Sequence, residues 1–356
     1  MRKADLVNRS TYTNRQTFID SVVAFLTKYG LDGIDIDWEY PAAGDRGGVA
    51  EDTDNYVLLM SEIRERFDQE NPGWEATVTI PTSYWYLRGF DVTGLQKYVS
   101  WFNLMSYDLH GMWDQHNRFT GPYLEGHTNI TEIDAGLDLL WRNDIDPGNV
   151  VMGLAFYGRS FTMSDPSCYT PGCTFSTAGV QGDCSTTAGI LTYSELASRN
   201  TTLNTQTYYD AKSTVKYTTY EYSQWISYDD EQSFYDKKTF LSSRCLSGFM
   251  IWALDQDTQT FAALSGLLGE DAISSSLMEG GNLDSQTAGA LSDIFGAYTG
   301  QNCFVTPTCT DGSSKEQTAD QVCGSGFTSV STAHSPVQAP GHLLHGICSK
   351  GWYRHM

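Results

Sequence analysis

Basic residues are scarce. Against 43 Asp and Glu the chain sets 22 Lys and Arg in 356 residues, which leaves a formal net charge of −21. Such a chain repels nucleic acid and anionic membrane surfaces, so a neutral or cationic partner is expected. No apolar run reaches the roughly 18 residues that a membrane span requires. The opening stretch, MRKADLVNRSTYTNRQ, has no apolar segment of the kind a secretory leader carries. There is no internal repeat, and low complexity is confined to short Ser/Thr patches.

What is present is enough for a folded core. The chain is 40% hydrophobic and 13% aromatic, and its length suits one large domain or two ordinary ones. Eight cysteines fall in two clusters: Cys168, Cys173, Cys184 and Cys245, then Cys303, Cys309, Cys323 and Cys348. Clustered cysteines in acidic, Gly- and Thr-rich loops predict disulfides. Zinc is the alternative, because His342, His345 and Cys348 have near-ligand spacing, but a paired C-x2-C is absent. Asn8, Asn129 and Asn200 each open an N-x-S/T sequon.

Hydrophobic periodicity predicts helices over 14–29, 53–69, 131–142 and near 257–268, with a helix-like piece at 285–298. Strands are predicted at 33–39, 76–81, 101–108, 149–158 and 248–255. Strands alternating with helices imply a parallel sheet. The pattern changes between 159 and 247, where four cysteines and a Tyr/Thr-rich stretch predict a small α+β insertion. The expected division is 1–158 and 248–300 for the strand–helix part, 159–247 for the insertion and 301–356 for a Cys-rich tail.

The most informative stretch is LDGIDIDWEYP, residues 31–41. On a strand, Asp35, Asp37 and Glu39 line one side while Ile34, Ile36 and Trp38 face the other. Acids are poor strand formers. Three close carboxylates cannot all ionise cheaply, so at least one pKa rises. In a β/α barrel the acid side would face the interior, with Glu39 at the C-terminal mouth. A raised pKa on this last carboxyl would make it a general acid near neutral pH. A solvated strand edge and a three-acid metal site are the competing readings. The second lacks a nearby His or further ligand.

Asp32-Gly33-Ile34-Asp35-Ile36-Asp37-Trp38-Glu39 resembles the DGxDxDxE signature of glycoside hydrolase family 18, the chitinases, and Tyr40-Pro41 resembles its chitinase branch. NLMSYDLHG (103–111), FYGRSF (156–161) and GFMIWALDQD (248–257) are similar to the family's sixth, seventh and eighth strands. DPSCYTPGC and the Cys-rich tail resemble large fungal class V chitinases related to killer-toxin subunits. The resemblance implies a (β/α)8 barrel with an α+β insertion, in which five of eight strand–helix units are legible. On that count the chain is expected to be an N-terminally truncated barrel, with open sheet edges and poor solubility.

The resemblance also implies a substrate-assisted, retaining mechanism, since this family departs from the two-carboxylate scheme. Glu39 would protonate the glycosidic oxygen and later act as base. Asp37 would stabilise the cyclised N-acetyl group, Asp35 would share charge with Asp37, and Tyr107 would bond the acetamide oxygen. Asp108, Met105 and Trp252 would hold the sugar at the cleavage point. Tyr40, Tyr157, Trp85, Trp113 and Tyr84 would contact sugars, with ordinary packing as the alternative for each. No cofactor or metal is implied. Chitin or its oligosaccharides would be the partner of a monomeric, extracellular protein. A lectin-like chitin binder, an N-glycan endo-glycosidase and a toxin-type subunit are the rival functions. Glu at position 39 favours an enzyme over a lectin, while Trp38, Tyr40-Pro41 and the insertion argue against the endo-glycosidase.

Overall fold

The computed structural model of the protein describes residues 12–202 and 205–269. The expected helix at 285–298, the four tail cysteines, the zinc alternative and Asn8 lie outside them. Five strands form a parallel sheet in the order β1-β2-β3-β4-β11. They are β1 (Gly33–Ile36), β2 (Glu75–Pro81), β3 (Phe102–Met105), β4 (Val150–Ala155) and β11 (Gly248–Trp252). The sheet is part of a (β/α)8 barrel. Its pairs run in one direction, with Asp35 opposite Thr77, Thr79 opposite Asn103 and Ile251 opposite Leu154.

The helices cover the sheet with the faces that periodicity indicates. Helix α1 (Tyr12–Tyr29) buries Phe18, Val22 and Leu26, and α2 (Asp52–Glu70) buries Tyr56, Leu59, Met60, Ile63 and Phe67. These join Ile36, Val78, Ile80, Leu104, Met152 and Leu154 in one large core. Each such side chain, fully buried, contributes about 1.5–3 kcal/mol. Helix α3 (Ile130–Trp141) starts at Asn129, whose side chain accepts from the Thr131 amide at 3.0 Å and the Thr131 hydroxyl at 2.8 Å. The sequon asparagine is therefore committed to a helix cap through Oδ1 and is buried.

The sequence predicts one strand over 149–158, and the chain divides it. Val150–Ala155 stays in the parallel sheet, while β5 (Tyr157–Met163) opens an antiparallel sheet with β6 (Phe175–Ala178), β7 (Ile190–Thr192), β8 (Gln206–Asp210), β9 (Val215–Tyr220) and β10 (Gln224–Tyr228). The Phe156 amide between them donates to the Trp252 carbonyl at 2.9 Å, so the change of sheet occurs against the exit of β11. Helix α4 (Tyr193–Thr202) follows β7. Helix α5 (Glu231–Ser243) lies in the stretch expected to be insertion, yet its Phe234 and Leu241 belong to the large core under the parallel sheet. The last helix, α6 (Ala262–Leu268), is shorter than the 257–268 expected, because Asp257 caps it, accepting from the Ala263 and Leu264 amides.

Cys168 and Cys173 form a disulfide. Cys184 and Cys245 are disulfide-bonded as well, and no cysteine among the described residues is free.

Candidate active site

Strand β1 is shorter than the seven residues predicted for it. Its ladder to β2 ends at Ile36 opposite Val78. There the Tyr56 hydroxyl, fully buried on α2, donates to the Ile36 carbonyl at 2.9 Å. That bond takes the acceptor that a longer ladder would need. The alternation nevertheless continues: Ile36 and Trp38 are buried, and Asp35, Asp37 and Glu39 are exposed. Trp38 packs on Tyr56 at 5.2 Å between ring centroids, which fixes the segment carrying Asp37 and Glu39.

The three acids have different surroundings. Asp35 is held by three donors from the neighbouring strands. Thr77 and Thr79 on β2 donate from their hydroxyls at 2.6 and 2.7 Å, and Asn103 on β3 donates from Nδ2 at 2.8 Å. Asp37 has no hydrogen-bond partner among the described residues. It reaches solvent, yet protein atoms crowd it. That burial, with the charges of Glu39 and Asp35, raises its pKa to about 6. The sequence placed the raised pKa at the last carboxyl, Glu39; the structure raises the middle one. Beside Glu39, burial and the Glu39 carboxylate push the Tyr40 hydroxyl well above the usual tyrosine range.

Tyr107 and Asp108 follow β3 at the same end of the sheet. Tyr107 is buried, with its hydroxyl 3.8 Å from Met250 Sδ on β11. Its ring fits because residue 153 is glycine. A Cβ there would stand 2.8 Å from Tyr107 Cε1 and 2.6 Å from the Leu104 carbonyl oxygen. Met105, half-buried, packs against the cluster of Tyr107, Ala155 and Tyr157, as Met250 does. Asp108 has φ of +57°. Its carboxylate accepts from the Tyr157 hydroxyl at 2.7 Å and from Arg159 Nε at 2.7 Å, and a second Arg159 nitrogen completes a fork. Burial would raise its pKa, but the Arg159 bonds and charge prevail and hold it well below the usual carboxylate range.

Tyr157 and Arg159 stand on β5, so the antiparallel sheet contributes to this site. Tyr157 was expected to contact a sugar. In the structure it is buried, and its hydroxyl donates to Asp108. Arg159 escaped sequence reading, although its place two residues after Tyr157 puts it on the same strand face. Its guanidinium lies 4.9 Å from the Trp113 ring centroid, which leaves that ring half exposed.

The remaining aromatics line the same end. Trp252 closes β11 and is 52% exposed, and Trp85, on a one-turn helix after β2, is 57% exposed with Arg88 stacked at 4.0 Å. Tyr84 on that helix is also exposed. Tyr40 stacks on Tyr86 at 4.1 Å, and the Tyr86 hydroxyl donates to Asp45 at 3.0 Å.

A buried ion network supports the loop after Asp108. His110 Nδ1 lies 2.9 Å from Asp114 Oδ2, and Nε2 lies 3.0 Å from Glu132 on α3. Burial opposes its charge, but the bonds to Asp114 and Glu132 prevail and raise its pKa to about 10. A raised histidine pKa stabilises the fold fully below the unfolded value of 6.5 and loses that contribution as pH rises through about 10. His110→Gln should therefore cost on the order of 2–4 kcal/mol at acid pH. The gap should close toward about pH 10 in chemical denaturation of parent and variant across pH. A gap that stays constant with pH would show that the histidine charge is not what stabilises the loop.

The model of one protein family, Glycosyl hydrolases family 18, matches residues 5–257. "Probable chitinase LysM18" of Penicillium expansum is 31% identical over 262 residues, covering 69% of this chain and 18% of the relative. "Killer toxin subunits alpha/beta" of Kluyveromyces lactis is 30% identical over 249 residues, covering 68% of this chain and 21% of the relative. The chain thus spans under a quarter of these two relatives. Among solved structures, the Ostrinia furnacalis Group IV chitinase in complex with allosamidin superposes with a TM-score of 0.65 at 26% identity, covering 75% of this chain and 74% of that one.

Proposed function

Since the chain belongs to glycosyl hydrolase family 18, we propose that it is an endochitinase-type enzyme. It would cleave the β-1,4 links of N-acetylglucosamine polymers with retention of configuration, using the substrate's own N-acetyl group as nucleophile. The observation that carries this reading is the pairing of two unlike acids. Asp35 is tethered by three donors, and Asp37 next to it has no hydrogen-bond partner among the described residues, is crowded and is raised to about 6.

In this mechanism Glu39 gives its proton to the glycosidic oxygen as the bond to the anomeric carbon breaks. The acetamide carbonyl oxygen forms the new bond to that carbon from the opposite face, which yields an oxazolinium ion. Asp37 accepts the acetamide N–H, and its negative charge stabilises the cation. Tyr107 donates its hydroxyl proton to a hydrogen bond with the acetamide oxygen, a role suited to a phenol that burial keeps protonated. Asp108, fixed by Arg159 and Tyr157, bonds the distorted sugar. Trp252 covers its apolar face. Water then attacks the anomeric carbon, Glu39 takes the water proton, and two inversions give net retention. Disulfide-bonded cysteines support an extracellular setting.

Chitotetraose hydrolysis followed by proton NMR tests the reading. Fresh product should carry the β anomer, and a thiazoline mimic of the cyclised N-acetyl group should inhibit. Initial release of the α anomer would refute the retaining route. A thiazoline that fails to bind would refute the participation of the N-acetyl group.

A further inference from the structure

We propose that His127 is a positioning residue for the site: its Nδ1 holds the Asp108 amide and so fixes the left-handed turn that aims the Asp108 carboxylate. The proposal rests on the chitinase reading for its kinetic consequence, but not for the geometry.

Asp108 adopts φ of +57°, a conformation disfavoured for a residue with a Cβ. Something must hold it there. His127 contacts the turn twice. Its Nδ1 lies 3.4 Å from the Asp108 amide nitrogen, which donates to it, and its carbonyl accepts from the Leu109 amide at 3.0 Å. The Asp108 carboxylate is then free to receive Tyr157 and the Arg159 fork. His127 itself is fully buried. Its ring packs 5.1 Å from the Tyr157 ring, and its own amide lies 3.3 Å from the Ser227 hydroxyl on β10. The imidazole is thus wedged between the antiparallel sheet and the turn.

An acceptor at Nδ1 requires the tautomer with the proton on Nε2. Burial pushes the His127 pKa down, which keeps the ring neutral and Nδ1 free to accept. Nε2 has no hydrogen-bond partner among the described residues. It is therefore Nδ1, not Nε2, that connects this side chain to the site.

Counting bonds separates the two nitrogens. Asn Oδ1 stands as many bonds from Cα as His Nδ1, whereas the Gln amide reaches to the Nε2 position. His127→Asn should keep the bond to Asp108, and His127→Gln should lose it. On chitotetraose, the full chain carrying His127→Gln should lose roughly 10- to 100-fold in kcat, with KM within about threefold. His127→Asn should stay within about threefold of the parent in both. Residue-resolved hydrogen exchange gives a readout that needs no turnover. Exchange at the Asp108 amide should quicken in the Gln variant and not in the Asn variant.

Equal kcat for Asn and Gln variants, or unchanged Asp108 exchange in the Gln variant, would overturn the proposal. Variants that show the predicted exchange pattern, with a parent that neither cleaves nor binds chitotetraose, would remove the chitinase reading and leave the role of His127 in the turn standing.

Discussion

Glu39→Gln is expected to lower kcat on chitotetraose by about a thousandfold while Kd stays within about threefold of the parent. The amide has the carboxyl's shape but no proton acidic enough for the leaving oxygen, and general acid–base catalysis contributes about 10²–10⁴. On the proposed reading, ground-state contacts would come from Trp252 and Trp113, both half exposed, and from Asp108, none of which the substitution touches. Binding should therefore survive. Pre-steady-state turnover and calorimetric titration on the same variant separate the two effects. Near-parental turnover would remove Glu39 as the acid. A collapse of binding together with rate would instead assign it to holding the sugar.

Asp37→Asn is expected to slow the reaction by about 10²–10³, the usual loss when one charge-stabilising group is removed, while making the protein more stable above about pH 6. An acid whose folded pKa is raised destabilises the fold wherever it is ionised. The burden is absent below the ordinary value of 3.8 and complete above about 6. The parent should therefore lose stability as pH rises across that window. The Asn variant, which cannot ionise, should not. Thermal melts should agree at about pH 3.5 and diverge at about pH 8, with the variant higher. A variant that melts lower at every pH would mean that the Asp37 carboxyl is a structural partner, contrary to its lack of one. Loss of rate with gain of stability is the pattern expected where a site holds charge against its own interest.

The structure-breaking and structure-making parts of the sequence differ in how well they can be read. Helix α2 was legible because Tyr56, Leu59, Met60, Ile63 and Phe67 repeat at helical spacing, and that spacing is local. The end of β1 was not, because it depends on a hydroxyl from Tyr56, 20 residues away in sequence from the Ile36 carbonyl it caps. Tyr157 shows the same limit. Its strand character was legible, but its bond to Asp108 depended on a change of sheet at Phe156.

The acid pattern alone determined that three carboxylates share one side and that one pKa must rise, since alternation on an extended chain and like-charge repulsion require no knowledge of distant residues. The tertiary structure decided which one. Asp35 is bound by Thr77 and Asn103, which stand 42 and 68 residues along the chain, and Asp37 is left without a partner among the described residues. Arg159 and His127 reach Asp108 across 51 and 19 residues. A pKa reflects every charge, donor and desolvating atom within a few ångströms, and for these carboxylates most of those atoms come from elements far away in sequence.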